Sequence, residues 1–250
     1  MTNIVVSPCS NPQMGIEVVQ AYAELGYRKF EIFTGESGWY FDVNRGADYY
    51  LALGAQYGLT FSSLHLPRIQ PDNRDSFDAA VKAARFADAL GVSVVIYKAT
   101  DRPTYISASA PFLQAIEGLS ITPVLQNHYG TALSTLADYR EVIEGVGDTR
   151  MKTLLEVGHF QLAGVSWREG YALLQNSMAL IHIKDMLDAT PVPFGEGNID
   201  LPGLFSFMKR IGYTGNFVVE MEVDCQDDAR TLRLLANARV YVEKLWEEAV

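Results

Sequence analysis

Short β-branched or aromatic runs alternate along this chain with longer stretches in which apolar residues recur every three or four positions. The runs predict strands at Ile4–Ser7, Lys29–Phe33, Thr60–His65, Ser93–Lys98, Thr122–Gln126, Lys152–Glu156, Leu180–Lys184 and Asn216–Met221. The helical spacing predicts helices at Gly15–Leu25, Ala47–Tyr57, Ser76–Leu90, Ala110–Leu119, Ala132–Gly145, Ser166–Gln175, Leu201–Ile211 and Asp227–Ala249. Glycine closes several of these helices just before the next strand, as in Leu25-Gly26, Tyr57-Gly58, Leu90-Gly91 and Ile211-Gly212. Glycine suits that place because it accepts a left-handed backbone. Asp200 ahead of Leu201-Pro202 reads as an N-cap with proline in the first turn. The last helix carries Leu232, Leu235, Ala238, Tyr241, Val242, Leu245 and Trp246 on one face, which predicts that it packs on a core.

Eight strands alternating with eight helices in 250 residues predict an α/β protein built as a single (β/α)8 TIM barrel, one domain over residues 1–250. A doubly wound open sheet is the alternative. Its glycine-rich first turn is missing here, because the first loop reads Ser7-Pro8-Cys9-Ser10-Asn11-Pro12.

Composition changes this picture little. A hydrophobic fraction of 48% suffices for one large core. No apolar run is long enough to cross a membrane. The opening MTNIVVSPCS lacks a basic segment ahead of a long apolar one, so no signal peptide is expected. Two cysteines are too few for a disulfide framework, and a cytoplasmic protein is the expectation. A net charge of −10 argues against nucleic acid as a partner.

In a parallel barrel the active site lies at the C-terminal ends of the strands. The polar residues at those predicted ends are Glu31, His65, Lys98, Gln126 with His128, Glu156 with His159, His182 with Lys184 and Asp185, and Glu220 with Glu222. All four histidines of the chain are among them. A lone histidine or glutamate at a strand end is more often a loop-packing residue. Glu31, Asp185 and Glu222 read equally well as ion-pair partners at the rim, and Lys98 as a solvated lysine. Glu156, His182 and Glu220 are harder to read that way. Each follows an apolar run, and a buried carboxylate is costly unless it is paired or bound to metal.

Three segments, "LLEVGHFQLAG", "IHIKDM" and "FGEGNIDLPGLFSFMKRIGYTGNFVVEMEV", make the chain resemble the xylose isomerase-like barrels. These are the sugar phosphate isomerase/epimerase group, related to family 2 AP endonucleases and including tagatose-type epimerases, inosose dehydratases and hydroxypyruvate isomerases. The last segment is the most specific. A Gly-Glu-Gly before a helix, a Gly-Tyr-x-Gly turn and a strand ending in Glu arrive there in order. The resemblance implies one divalent metal, Mn, Mg, Co or Zn, held by Gln126, Glu156, His182 and Glu220. It also implies substrate contacts from His65 and His159. Glu31, His128 and Lys184 join these as candidate substrate-binding residues.

Two positions depart from the family pattern: Glu156 stands for Asp and Gln126 for Glu. Gln126 still offers a carbonyl oxygen but cannot take a proton. The family's two-carboxylate epimerisation therefore lacks one partner. Glu220 works alone, another base such as Lys98, His65 or Glu156 replaces the missing group, or the site binds a ligand without turning it over. The expected function is a metal-dependent isomerase or epimerase of a small sugar, sugar acid or related hydroxycarbonyl compound. It proceeds through an enediolate with Glu220 as base. The alternatives are an inosose-dehydratase-like lyase, using His159 or Lys184 as acid, and a non-catalytic sugar-binding member. A three-zinc endonuclease is disfavoured, because only four histidines are present and the chain is acidic.

The expected partner is a small sugar-like molecule, with neither nucleic acid nor membrane. A homodimer stays open. Cys9 and Cys225 follow strands that a closed barrel makes neighbours, so they can lie at one rim; two unrelated thiols are the simpler reading. Phe33, Trp39, Tyr97 and Phe160 can stack on a sugar face, and packing is expected for most of them.

Overall fold

The strands close into a barrel in the order β1, β10, β7, β6, β5, β4, β3, β2, each parallel to its neighbours. They are β1 (Ile4–Val6), β2 (Lys29–Phe33), β3 (Thr60–His65), β4 (Val94–Ile96), β5 (Thr122–Gln126), β6 (Lys152–Glu156), β7 (Met178–Ile183) and β10 (Phe217–Val219). Between β7 and β10 a small antiparallel hairpin forms from β8 (Asp185–Leu187) and β9 (Thr190–Val192). This computed structural model describes residues 3–12, 14–35, 41–223 and 225–250. The eight barrel strands coincide with the eight runs predicted from the sequence, four of them to the residue.

The helices are α1 (Val18–Glu24), α2 (Ala47–Tyr57), α3 (Arg74–Ala89), α4 (Arg102–Ala115), α5 (Leu136–Val146), α6 (Val157–Leu162), α7 (Trp167–Leu174), α8 (Leu201–Arg210) and α9 (Asp228–Glu248). Two helix starts differ most from expectation. α4 begins at Arg102 rather than Ala110, because Asp101 caps the backbone N–H of Thr104 and Pro103 sits in the first turn. The helix then runs through Pro111 instead of starting near it. α5 begins at Leu136, where Thr135 and Asp138 form a reciprocal capping box. The short α6 was not predicted. Six residues are too few for a visible period, and its cap is the Glu156 side chain. Among the described residues no helix is long and apolar enough to cross a membrane.

Successive side chains of a strand point to opposite faces. The barrel interior is therefore filled by alternate residues, Val5, Val94, Ile96, Val124, Leu154, Leu180 and Val218, which form one apolar cluster. The residues between them face the helices and join the large outer core with Phe30, Leu64, Val95, Leu125, Leu155, Ile181 and Val219. Two residues further along, the inward positions turn polar: Gln126 after Val124, Glu156 after Leu154, His182 after Leu180, Glu220 after Val218. Two β-bulges complete this layer. One between Phe30 and Glu31 shifts the β2–β3 register so that Glu31 pairs with Ser63. The other, between Thr153 and Leu154, aligns Glu156 with His182. A bulge re-aims side chains by one position, and here it brings polar groups onto the inner face.

Candidate active site

The polar layer opens into a cavity of about 510 Å³ at the C-terminal mouth of the barrel. Of the residues singled out in the sequence, Cys9, His65, Lys98, Gln126, His128, His159, Glu220 and Glu222 line it. Glu31, Glu156, His182 and Lys184 lie buried among the groups beneath. Phe33 also lines the cavity and stacks on the His65 ring at a centroid distance of 3.9 Å. Tyr97 packs on Tyr105 and Phe112, and Phe160 on Tyr139, so these two serve the core. Trp39 lies outside the described residues.

Two clusters share Glu220. In the first, His182 bridges two carboxylates, with Nε2 3.1 Å from Glu31 Oε2 and Nδ1 3.0 Å from Glu220 Oε1. His65 Nε2 lies 3.1 Å from the other oxygen of Glu31, and Ser63 donates to Glu31 at 2.7 Å. Burial alone would hold His182 neutral, but Glu220 and Glu31 outweigh it and raise the imidazole to about 10. Burial pushes Glu31 upward, and His182 and His65 more than reverse that, so Glu31 stays ionised. His65 falls to about 4, through burial first and the Lys98 charge second.

The second cluster surrounds Lys184. Its Nζ lies 2.6 Å from Glu222, 3.4 Å from Glu220 and 3.7 Å from Glu156. The Lys184 stem runs along Gly158, where a Cβ would overlap it. The glycine of "EVGHF" thus makes room for the lysine of "IHIKD". Burial would lower the Lys184 ammonium, but Glu156, Glu220 and Glu222 hold it charged. The Glu156 carboxylate also accepts from the backbone N–H groups of Gly158 and His159. Burial is still its largest influence and raises it to about 7. Asn127 ties the strand ends together, donating to Glu156 O at 2.8 Å and accepting from Glu156 N at 2.9 Å.

The rings of His128 and His159 pack at a tilt of 33° with centroids 3.7 Å apart on the cavity wall. Burial, then the Lys184 charge, holds His159 neutral, at about 2. Asp185 is not part of the cavity. Its carboxylate accepts from the N–H groups of Met186, Gly195 and Gly197, so the Gly-Glu-Gly motif wraps it. Cys9 and Cys225 are free thiols that line one neighbouring cavity.

The resemblance pointed to Gln126, Glu156, His182 and Glu220 as metal ligands. The donor atoms that converge are those of Glu31, His65, His182 and Glu220, all within 4.8 Å of one another. His65 Nε2, both ring nitrogens of His182 and Glu31 Oε1 are buried at ion-pair distance yet lack hydrogen-bond alignment. Two imidazoles with two carboxylates that converge in this way are ligands for a divalent cation, once His182 releases its proton. This cluster can hold a metal. Glu156 is set apart by its helix cap and by Lys184, while Gln126 faces the cavity. Sequence reading had placed Glu31 and His65 with the substrate. It passed over Arg68, Thr100, Tyr105 and Thr131, which also line the cavity. Arg68 left a signal, a charged residue three positions past the β3 histidine.

A family profile described as a xylose isomerase-like TIM barrel matches residues 19–243. A curated relative from Escherichia coli (strain K12), named as a proposed L-ribulose-5-phosphate 3-epimerase, SgbU, is 32% identical over 80 residues. That match covers 29% of this chain and 27% of the relative's length. The crystal structure of a D-tagatose 3-epimerase-like protein superposes over the full length of both chains with a TM-score of 0.79 at 18% identity. A zinc-bound structure of the IOLI protein superposes over 100% of this chain and 99% of its own with a TM-score of 0.78 at 13% identity. The profile match over residues 19–243 and the closed barrel agree, and the chain belongs to the xylose isomerase-like TIM barrel family.

Proposed function

We propose that this protein is a metal-assisted isomerase or epimerase acting on a small sugar, sugar acid or related hydroxycarbonyl compound, with Glu220 as the base. One observation carries the reading. Glu220 is at once a member of the buried Glu-His-His-Glu cluster and a wall of the cavity, so a proton acceptor and a cation site meet at one point. The names of the relatives, a proposed L-ribulose-5-phosphate 3-epimerase and a D-tagatose 3-epimerase-like protein, support the reaction class.

Glu31, His65, His182 and Glu220 would hold the metal. When bound, a divalent ion supplies Lewis-acid polarisation of a substrate carbonyl. Two imidazole ligands favour Mn, Co or Zn over Mg, and the zinc-bound neighbour is in keeping with that. Burial raises Glu220, but His182 and Lys184 more than offset it and keep it ionised. A carboxylate held that low is a weak base. Holding a metal at the neutral imidazole would displace the His182 proton, whose charge is the first of those that hold Glu220 low. Glu220 then takes the proton from the carbon next to the substrate carbonyl. Lys184, 3.4 Å away, keeps the carboxylate aimed.

Gln126 lines the cavity on β5, separated from β10 by β6 and β7, and cannot accept a proton. One base on one face supports proton return to the face it left, which is aldose–ketose isomerisation. Epimerisation needs a second base, for which the cavity offers His65, His128, His159 or Lys98. The lyase alternative needs an acid at the β-carbon. His159 is held neutral and Lys184 is buried beneath the cavity, so neither favours it.

Metal analysis beside incubation with neutral and anionic ketoses and aldoses in deuterated water tests the proposal. Deuterium entering the product without change of elemental composition, and vanishing in Glu220→Gln, is the expected result. A product lighter by one water marks a lyase. Ligand binding without deuterium uptake marks a binding protein.

A further inference from the structure

Closure of the barrel brings together two cysteines from opposite ends of the chain. Cys9 follows β1 in a single 3₁₀ turn, Pro8–Ser10, and Cys225 follows β10. β1 and β10 pair with Val6 opposite Val219, and Ser7 N–H donates to Val219 O at 3.0 Å. Beyond the strands, side chains keep the two segments joined. Ser10 Oγ accepts from Met221 N–H at 3.2 Å, and Asn11 Nδ2 donates to Asp228 Oδ1 at 2.7 Å. Ser10 and Asn11 are buried. Cys9 adjoins these two anchors, and Cys225 lies between the residues they hold, Met221 and Asp228.

Both thiols line one cavity of about 550 Å³. Each is half-buried, so a small molecule can reach it. Cys9, Pro12 and Glu222 also line the catalytic cavity, so these three form a wall common to both. Among the described residues no third histidine, cysteine or carboxylate joins the two sulfurs in a cluster that could hold a metal. The chain has no other cysteine to compete for either one.

We infer that Cys9 and Cys225 form a redox pair, which a peroxide converts into one intramolecular disulfide across the wall of the catalytic cavity. Burial, then Glu220 and Glu222, push the Cys9 thiol up, so Cys225 reacts first. Its sulfur takes one peroxide oxygen as the O–O bond breaks, giving a sulfenic acid, and the other oxygen leaves as water. The Cys9 sulfur then bonds to the Cys225 sulfur. The S–OH bond breaks, and the hydroxyl leaves as water with the Cys9 proton. The two thiols lose two electrons and two protons, and the peroxide is reduced to two waters. Exchange with a dithiol reverses the change.

Hydrogen peroxide added to the reduced full-length protein tests the pair. Both thiols should vanish together in a count made after denaturation. The intact mass should fall by two hydrogens, a digest should yield a peptide linking the two cysteines, and dithiothreitol should reverse all three changes. Cys9→Ser should stop at a sulfenic acid on Cys225 that dimedone traps, and Cys225→Ser should keep its remaining thiol. Melting midpoints of the reduced variants serve as the folding control. Independent loss of the two thiols, a mass that rises by oxygen atoms with no linked peptide, or a disulfide-linked dimer overturns the pair.

The disulfide stands apart from the catalytic reading, whereas its effect on turnover rests on that reading. Uptake of solvent deuterium into the sugar that the reduced protein turns over should slow by roughly tenfold or more on oxidation, because a small shift beside the base misplaces it. Dithiothreitol should restore the rate, and Cys225→Ser should ignore the peroxide. An unchanged rate in the disulfide form overturns the link to the cavity. Absence of exchange in either form removes Glu220 as base instead, and paired loss of the thiols still establishes the disulfide.

Discussion

His182 Nε2 lies 3.1 Å from Glu31 Oε2, and both side chains are fully buried. β2 and β7 are not neighbours in the barrel, so only closure brings this pair together. The contact fixes the ring plane and leaves Nδ1 3.0 Å from Glu220.

Metal retention should follow the converging set. Glu31→Gln, His65→Ala and His182→Ala should each weaken metal binding by roughly tenfold to a hundredfold. Gln126→Ala should leave it close to wild type. Competition against a chelating dye, with elemental analysis of the purified proteins, measures this. Loss of metal in Gln126→Ala and Glu156→Gln with retention in His65→Ala would instead assign the ligand set that the family pattern implies.

The metal-free protein should lose stability as pH rises from about 6.5 to about 10. His182 is raised to about 10 by Glu220 and Glu31 against its burial, while the unfolded chain releases that proton near 6.5. Below 6.5 both states carry the proton and the contribution is complete. Between the two values only the folded state holds it, so stability falls with pH, by at most about 1.4 kcal/mol per unit. Urea titrations of chelator-treated protein across this range test the slope. His182→Gln should flatten it.

Lys184 is buried among three carboxylates, and Lys184→Met leaves that charge uncompensated. A loss of about 3 kcal/mol or more is expected at pH 8, because breaking a buried ion cluster strands its partners. Glu156 should then hold its proton to still higher pH. Stability at pH 5.5, where Glu156 is already protonated, should suffer less. An equal loss at both pH values would contradict the electrostatic account.

Gly158→Ala probes packing alone. Its Cβ would overlap the Lys184 stem, and the lysine has no solvent to retreat into. About 1–3 kcal/mol of destabilisation is expected, the usual cost of overpacking a filled interior. Thermal melts of Gly158→Ala beside an alanine at Gly164, which has open space around it, separate the clash from a general glycine effect. Gly164 has its own cost from a positive φ of 70°, so a loss at Gly158 below that at Gly164 would refute the clash.

Gln126→Glu restores a proton acceptor across the cavity from Glu220. Wild-type protein in deuterated water should yield a ketose–aldose pair labelled on one face. The variant should add the epimer, visible as a second set of proton resonances. Epimer already present with the wild type would mean that another cavity residue serves as the second base.

Period-two alternation in β5, β6, β7 and β10 made the barrel and its polar rim legible, because each strand's inward side continues through one more residue into Gln126, Glu156, His182 or Glu220. Glycine and proline at helix ends set the count of elements. Other features had no sequence signal. The bulges that align Glu31 with Ser63 and Glu156 with His182 arise from fitting twisted strands into a closed ring, and nothing local marks them. That Glu31 and His65 come within reach of His182 has no local mark either, because it depends on closure of the barrel. Nor does the sequence mark that Lys184 sits among Glu156, Glu220 and Glu222, since these come from three separate strand ends. Local sequence determined which residues face inward, since that depends on neighbours two positions apart. Only the tertiary structure decided which inward charges meet, since that depends on strands far apart in sequence and on the register at which the barrel closes.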